Sequence, residues 1–155
     1  MVHSHKKDAC PWTIVHYRDQ AIHWQTRSLR TAEEIVPVID GILANLQSAG
    51  YCEKETFAIR LALEEALVNA IKHGHQSDPS KEVQLRYYHT AECLVLEIED
   101  EGPGFKPERV PDPSAPENLE RPCGRGLLHM QCYMTWVRYN DAGNRVTMCR
   151  HRISA

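Results

Sequence analysis

Glu65 and Asn69 lie four residues apart in a stretch that is apolar almost all round: Phe57, Ile59, Leu61, Ala62, Leu63, Ala66, Leu67, Ala70 and Ile71. On a helix that spacing sets a carboxylate and a side-chain amide about 40° apart, on one side. Such a pair suits one activated hydroxyl and one hard cation. Mg²⁺ takes oxygen ligands and combines few protein ligands with substrate phosphates. The pair is also compatible with two solvated side chains at the helix's exposed edge, so it does not carry a function alone.

Two glycine-bearing runs add to it. Asp100-Glu-Gly-Pro-Gly-Phe105 follows an alternating segment, Leu94, Leu96 and Ile98 against Val95, Glu97 and Glu99. A carboxylate at that strand end can accept a hydrogen bond from an exocyclic amine. Gly102 and Gly104 allow positive φ and close approach of a ligand to the backbone. An ordinary Asp-Gly turn is the plainer reading. Gly124-Arg-Gly-Leu127 opens an apolar helix. Unpaired N–H groups at a helix start attract anions, and glycines let phosphates come close. Arg121 and Arg125 could add charge-assisted contacts, or could be solvated loop residues. In this order, on a helix, at a strand end and at a helix start, the three runs describe an ATP pocket.

His73 and His75 flank Gly74, but without Cys or further His at zinc spacing they make a poor metal site. His73 is expected to pack at the helix terminus. Neither a Gly-x-Ser-x-Gly elbow nor a P-loop sequence is present.

The elements that must position these residues can be read from periodicity. Ile22 to Leu29 alternates, with Ile22, Trp24 and Thr26 against His23, Gln25 and Arg27, and reads as a strand. Thr31-Ala-Glu-Glu34 has the form of a capping box. A helix follows to about Ala49 with Gly50 as its C′ residue. Pro37 then implies either a kink or a later start. The next helix is expected from Glu53 to His73, ending at Gly74. Ser77 to Ser80 reads as a turn. Val83–His89 and Cys93–Asp100 read as a hairpin. The stretch holding Pro103, Pro107, Pro111, Pro113, Pro116 and Pro122 excludes helix and central strand, and long loops of this kind are often lids. A helix to about Met134 and strands Thr135–Tyr139 and Arg145–Ile153, joined by Asn140-Asp-Ala-Gly143, complete the chain. The expected fold is a two-layer α/β sandwich (α+β): a mainly antiparallel, mixed sheet with helices on one face.

At 155 residues the chain is expected to be one domain with a real core. The net charge of -3 gives no electrostatic case for nucleic acid or an anionic membrane. Six cysteines are scattered without a C-x-x-C pair. With no apolar leader in the first twenty residues, the reading is a cytoplasmic protein with reduced thiols.

Leu63-Glu-Glu-Ala-Leu-Val-Asn-Ala-Ile-Lys-His-Gly74 resembles the N-box of the GHKL ATPase superfamily, and the two glycine runs resemble its glycine boxes. Within that superfamily the chain is similar to bacterial anti-sigma factor serine/threonine kinases. The likeness spans about Ile22 to Arg152, so residues 1–20 are set apart as a tail or extra edge strand and 21–155 as the ATPase domain. The resemblance implies a Bergerat-type ATP-binding fold. It implies Glu65 as general base, Asn69 as Mg²⁺ ligand, Asp100 as reader of the adenine amino group with Gly102, Gly104 and Phe105 around the base, and Arg121, Gly124, Arg125, Gly126 and Leu127 at the phosphates. It further implies ATP and Mg²⁺ as cofactors and a partner switch in which a small anti-anti-sigma protein of the STAS type is phosphorylated and a sigma factor is bound. A homodimer fits the family; direct nucleic-acid or membrane binding does not. Asn144 stands where many relatives carry Thr after the last hairpin's glycine. A nucleotide-binding regulator without catalysis, half of a split histidine kinase, and an ATPase that is not a kinase remain alternatives.

Overall fold

The computed structural model describes residues 23–74, 78–103 and 130–152. The expected tail or extra strand over 1–20, the proline-rich stretch beyond Pro103, Gly104, Phe105, Arg121, Gly124, Arg125, Gly126 and Leu127 lie outside the described residues. Strand β1 (Gln25–Leu29) leads through a 3₁₀ turn (Ala32–Glu34) into helix α1 (Ile35–Ser48) and helix α2 (Glu53–Val68). A π-helical turn (Asn69–Gly74) extends α2, and strands β2 (Val83–His89), β3 (Cys93–Glu99), β4 (Trp136–Tyr139) and β5 (Arg145–His151) follow. Residues 130–133 are helical just before β4.

The strands form one five-stranded sheet in the order β1-β2-β3-β5-β4. Every pairing among the described strands is antiparallel. One face of this sheet is closed by α1 and α2. Ile39, Ile42, Leu46, Ile59, Leu63 and Leu67 meet Leu85, Tyr87, Leu94, Leu96 and Met148, all fully buried. This is the two-layer α/β architecture that the element order predicts.

Local chemistry explains how the elements start and stop. The helix α1 begins at Ile35, so Pro37 sits in its first turn, where a backbone N–H has no helical partner to lose. The kink that Pro37 suggested is therefore unnecessary. The reciprocal capping box is not formed. The Thr31 hydroxyl donates to Glu34 Oε1 at 3.2 Å instead of capping a backbone N–H. At the other end Gly50 adopts φ 94°, with Tyr51 N–H on Leu46 C=O and Gly50 N–H on Gln47 C=O, both at 3.0 Å. That is the Schellman arrangement Gly50 was expected to close. Arg152 then ties the chain's far end to this corner: its guanidinium donates to Gly50 C=O at 2.6 Å and lies 4.1 Å over the Tyr51 ring.

The strand phase of β1 is the reverse of the simple expectation. Leu29 and Gln25 turn toward the helices, with Gln25 Oε1 accepting from Tyr87 Oη at 3.0 Å and Asn45 Nδ2 at 3.3 Å. Trp24 therefore lies on the sheet's second face, against Tyr88, with ring centroids 4.7 Å apart. In register that face carries Tyr88, Val95, Cys149 and Trp136 in one transverse row. Val95 and Cys149 have no exposed surface and Tyr88 has 3 %.

Core burial makes a graded prediction. Leu46→Ala should lower the free energy of unfolding by about 2–5 kcal/mol. Val36→Ala, in the first turn of the same helix but 55 % exposed, should change it by less than about 0.5 kcal/mol. Urea denaturation of both variants checks the difference.

Candidate functional site

Glu65 and Asn69 occupy the last turn of α2, flanked by the buried Ala62, Leu63, Ala66 and Leu67. Both side chains are half-buried, neither sealed in the core nor fully solvated. Asn69 keeps α geometry, φ -61° and ψ -43°, and its N–H reaches the Glu65 and Ala66 carbonyls. The expected i, i+4 face is therefore present. Beyond Asn69 the helix does not continue as α to His73. It widens into the π turn, a rare form that recurs at functional sites. Ala70 and Ile71 stay buried in that turn. Lys72 and His73 are exposed, so His73 does not pack at the terminus as expected.

The π turn delivers Gly74 to the end of β3. A Cβ on Gly74 would fall 2.5 Å from Asp100 Oδ2 and 2.6 Å from Oδ1, well inside contact. A Cβ on Gly102 would overlap the Gly74 carbonyl and lie 2.8 Å from Asp100 Oδ1. Gly102 N–H in turn donates to Asp100 Oδ1 at 2.7 Å. So Gly74, Asp100 and Gly102 form one close cluster. Its glycines are required by space. Positive φ among the described glycines occurs at Gly50 and Gly143, which corrects the expectation that Gly102 serves through backbone freedom.

The final hairpin holds Asp100 from behind. Asp100 N–H donates to Asn144 C=O at 2.9 Å, and Asn144 Nδ2 donates to Asp100 C=O at 3.2 Å. Asn144 Oδ1 accepts from Asn140 Nδ2 at 2.8 Å, while Asn140 Oδ1 accepts the N–H groups of Asn144 and Arg145, each at 3.1 Å. The turn closes through Gly143, at φ 76°. Reading the sequence marked Asn144 only as a departure from a Thr. The pairing of two Asn side chains four apart across a Gly turn was the available signal. Tyr139 packs nearby. Burial, with the Asp100 charge adding, pushes its phenol up to about 12.

A carboxylate at a strand end, packed against two glycines and fixed at its backbone, is of the type that can accept from a planar, amine-bearing base. The residues present therefore fit the adenine end of a nucleotide. A half-buried amide oxygen on Asn69, with Glu65 one turn before it, suits one protein ligand to a cation whose other ligands come from phosphates. Among the described residues no group of three or more His, Cys, Asp or Glu could hold a metal ion. Nor is any described helix long and apolar enough to cross a membrane. A separate cleft of about 670 Å³ lies between α1 and α2 around Asp40, Phe57 and Arg60. It shares no residue with this cluster, and two of its charged groups are joined, Arg60 to Asp40 at 2.6 Å.

The histidine kinase-like ATPase domain family matches residues 29–150. A Bacillus licheniformis protein named Serine-protein kinase RsbW is 28% identical over 125 residues, 76% of this chain and 78% of the relative. The protein of the same name from Bacillus subtilis (strain 168) is 28% identical over 126 residues, 76% and 79% of the two chains. That from Oceanobacillus iheyensis is 24% identical over 98 residues, 59% and 62%.

Two outcomes are expected from the residues around Asp100. Asn144→Ala removes two neutral side-chain hydrogen bonds, each worth about 0.5–1.5 kcal/mol, so it should lower the free energy of unfolding by about 1–3 kcal/mol in denaturant unfolding. Tyr139 titrates near 10 when unfolded and near 12 when folded. Its contribution to stability is thus complete below pH 10 and is lost as pH rises through 12. Tyr139→Phe should flatten the alkaline fall in stability across that window, as measured by denaturant unfolding at a series of pH values.

Proposed function

The chain belongs to the histidine kinase-like ATPase domain family, and from that premise we propose that it is an ATP- and Mg²⁺-dependent protein serine/threonine kinase. The observation that carries this reading is the carboxylate–amide pair Glu65 and Asn69, one turn apart and half-buried, on the helix whose π-turn end meets Asp100. The names of the relatives, each a serine-protein kinase, support the same activity.

In this reading Asp100 accepts a hydrogen bond from the adenine amino group while Gly102 and Gly74 pack against its carboxylate. Gly104 and Phe105 line the base, and Arg121, Gly124, Arg125, Gly126 and Leu127 face the phosphates. Asn69 offers its amide oxygen to Mg²⁺. Bound Mg-ATP supplies the transferable phosphoryl group and neutralises the charge on its oxygens; the remaining task is positioning. Glu65 takes the proton of the attacking serine hydroxyl, a role in which a placed carboxylate contributes about 10²–10⁴ in rate. The protein substrate is a serine on a small anti-anti-sigma protein of the STAS type. The kinase acts as an anti-sigma regulatory factor that also binds a sigma factor, in the cytoplasm and as a homodimer.

The test separates binding from transfer. Glu65→Gln should hold ATP affinity within about twofold and lower transfer to an anti-anti-sigma protein by about 10²–10⁴. Asp100→Asn should weaken ATP binding by about tenfold or more, as loss of a charge-assisted hydrogen bond does. Chelation of Mg²⁺ should abolish transfer by the wild type. The phosphate on the partner should be acid-stable. Equal transfer by wild type and Glu65→Gln would remove Glu65 as base, and ATP binding without transfer under every condition would leave a nucleotide-responsive binding protein.

A further inference from the structure

At the end of β3 away from Asp100, two thiols meet on the sheet's second face. Cys93 pairs with His151 and Val95 with Cys149 across β3 and β5, so Cys93 and Cys149 are diagonal neighbours on one face. Neither is in a disulfide. Cys149 is fully buried beside Tyr88 and Val95, whereas Cys93 is only partly covered. The Cys93 side chain packs against the cluster that holds Cys149. Thr90 Oγ1 lies 3.7 Å from the same sulfur, and it is itself held by the N–H groups of Glu92 and Cys93, each at 3.1 Å. A hydroxyl and a second thiol thus flank one sulfur at the mouth of a hairpin turn. The Cys149 side chain brings the Cys93 thiol down to about 7, with Thr90 adding and burial and Glu92 opposing. Thiolate, not thiol, is the form that reacts.

We propose that Cys93 and Cys149 form a hydroperoxide-sensitive thiol pair, in which Cys93 is oxidised first and Cys149 resolves it. The Cys93 thiolate attacks one peroxide oxygen; the O–O bond breaks, leaving a sulfenic acid on Cys93 and releasing hydroxide, or alkoxide from an organic peroxide, which takes up the proton that the Cys93 thiol released on ionising and leaves as water or alcohol. The Cys149 sulfur then attacks the Cys93 sulfur. The S–S bond forms, the S–O bond breaks, and the Cys149 proton leaves with the hydroxide as water. The two thiols are oxidised by two electrons and the peroxide is reduced by two. Diagonal neighbours in a sheet have Cα atoms about 7–8 Å apart, against up to about 6.8 Å in disulfides. Closure therefore draws the strands together by about an ångström at Cys93, the first residue of β3 and next to its turn. Asp100 lies at the far end of the same strand, so the oxidised protein should keep its ATP affinity within about twofold.

The test uses the full chain at pH 7 with hydrogen peroxide and the nucleophilic diketone dimedone, followed by peptide mapping without reduction. Alkylation of the untreated protein should label Cys93 faster than the exposed Cys52 and Cys132, by about fivefold or more. Peroxide should give one Cys93–Cys149 cross-linked peptide with a loss of two hydrogens. Cys149→Ala should instead leave Cys93 as a dimedone adduct, and Cys93→Ser should leave Cys149 unoxidised. Oxidation of Cys52 or Cys132 ahead of Cys93, or a Cys93 sulfenic acid that persists in the wild type beside a reduced Cys149, would overturn the pair. The wild-type map decides the question even where Cys149→Ala fails to fold.

Discussion

The contact between Gly74 and the Asp100 carboxylate is the constraint on which the rest of the described structure depends. It joins the end of the α2 helix to the end of β3 at a separation that leaves no room for a Cβ on either Gly74 or Gly102. An α-helical path from Asn69 to Gly74 rises about 1.5 Å per residue, whereas a π turn is wider and shorter. The π turn is therefore the means by which a helix long enough to present Glu65 and Asn69 still stops against Asp100. On the sheet side, the β3–β5 register fixes the height of Asp100, because Glu99 pairs with Arg145 and the Asp100 N–H bonds to the Asn144 carbonyl. A slip of one residue would turn Leu94, Leu96 and Ile98 out of the core, so hydrophobic burial and site geometry enforce the same register.

Chemistry that is local in sequence was legible; geometry that arises from packing was not. Gly50 announced a helix end because only the left-handed backbone of a Schellman turn demands it there. Leu94, Leu96 and Ile98 announced a strand with one face in the core. Glu65 and Asn69 could be set on one helix face by counting alone. The π turn had no such signature, since the apolar spacing of Ala70 and Ile71 suits α and π equally. Thr31 and Glu34 had the form of a capping box, yet the two side chains bond to each other, because the chain enters α1 through a 3₁₀ turn. The phase of β1 was misleading for another reason: Gln25, a polar residue, faces the helices because Asn45 and Tyr87 satisfy it.

The sheet's second face explains why simple alternation is incomplete here. In a sheet with one solvated face, Val95 and Cys149 would be polar positions. Instead they are buried in a row that runs from Trp24 through Tyr88 to Trp136. The next row is charged. Glu97, 7 % exposed, accepts from Arg86 Nε at 2.8 Å, and Arg86 also lies 4.2 Å over the Trp24 ring. A buried carboxylate is tolerated only when it is paired and bonded, and Arg86 does both while its guanidinium covers Trp24. The two rows thus support each other, and this second face is built as carefully as the one under the helices.

That arrangement separates two kinds of demand along β3. Its inward residues hold the helix layer, which sets where α2 ends and so where Glu65, Asn69 and Gly74 stand. The outward residues, Cys93, Val95 and Glu97, belong to the second face and touch none of these groups. The two faces are linked only through the strand backbone, which is stiff across the sheet because β3 is paired on both sides. A change in side-chain chemistry at the Cys93 end therefore reaches Asp100 only by bending six intervening ladder positions against hydrogen bonds on two neighbouring strands. The proposed nucleotide recognition at one end and the proposed thiol reactivity at the other can be altered independently, because the strand that carries Asp100 and Cys93 is paired along both of its edges.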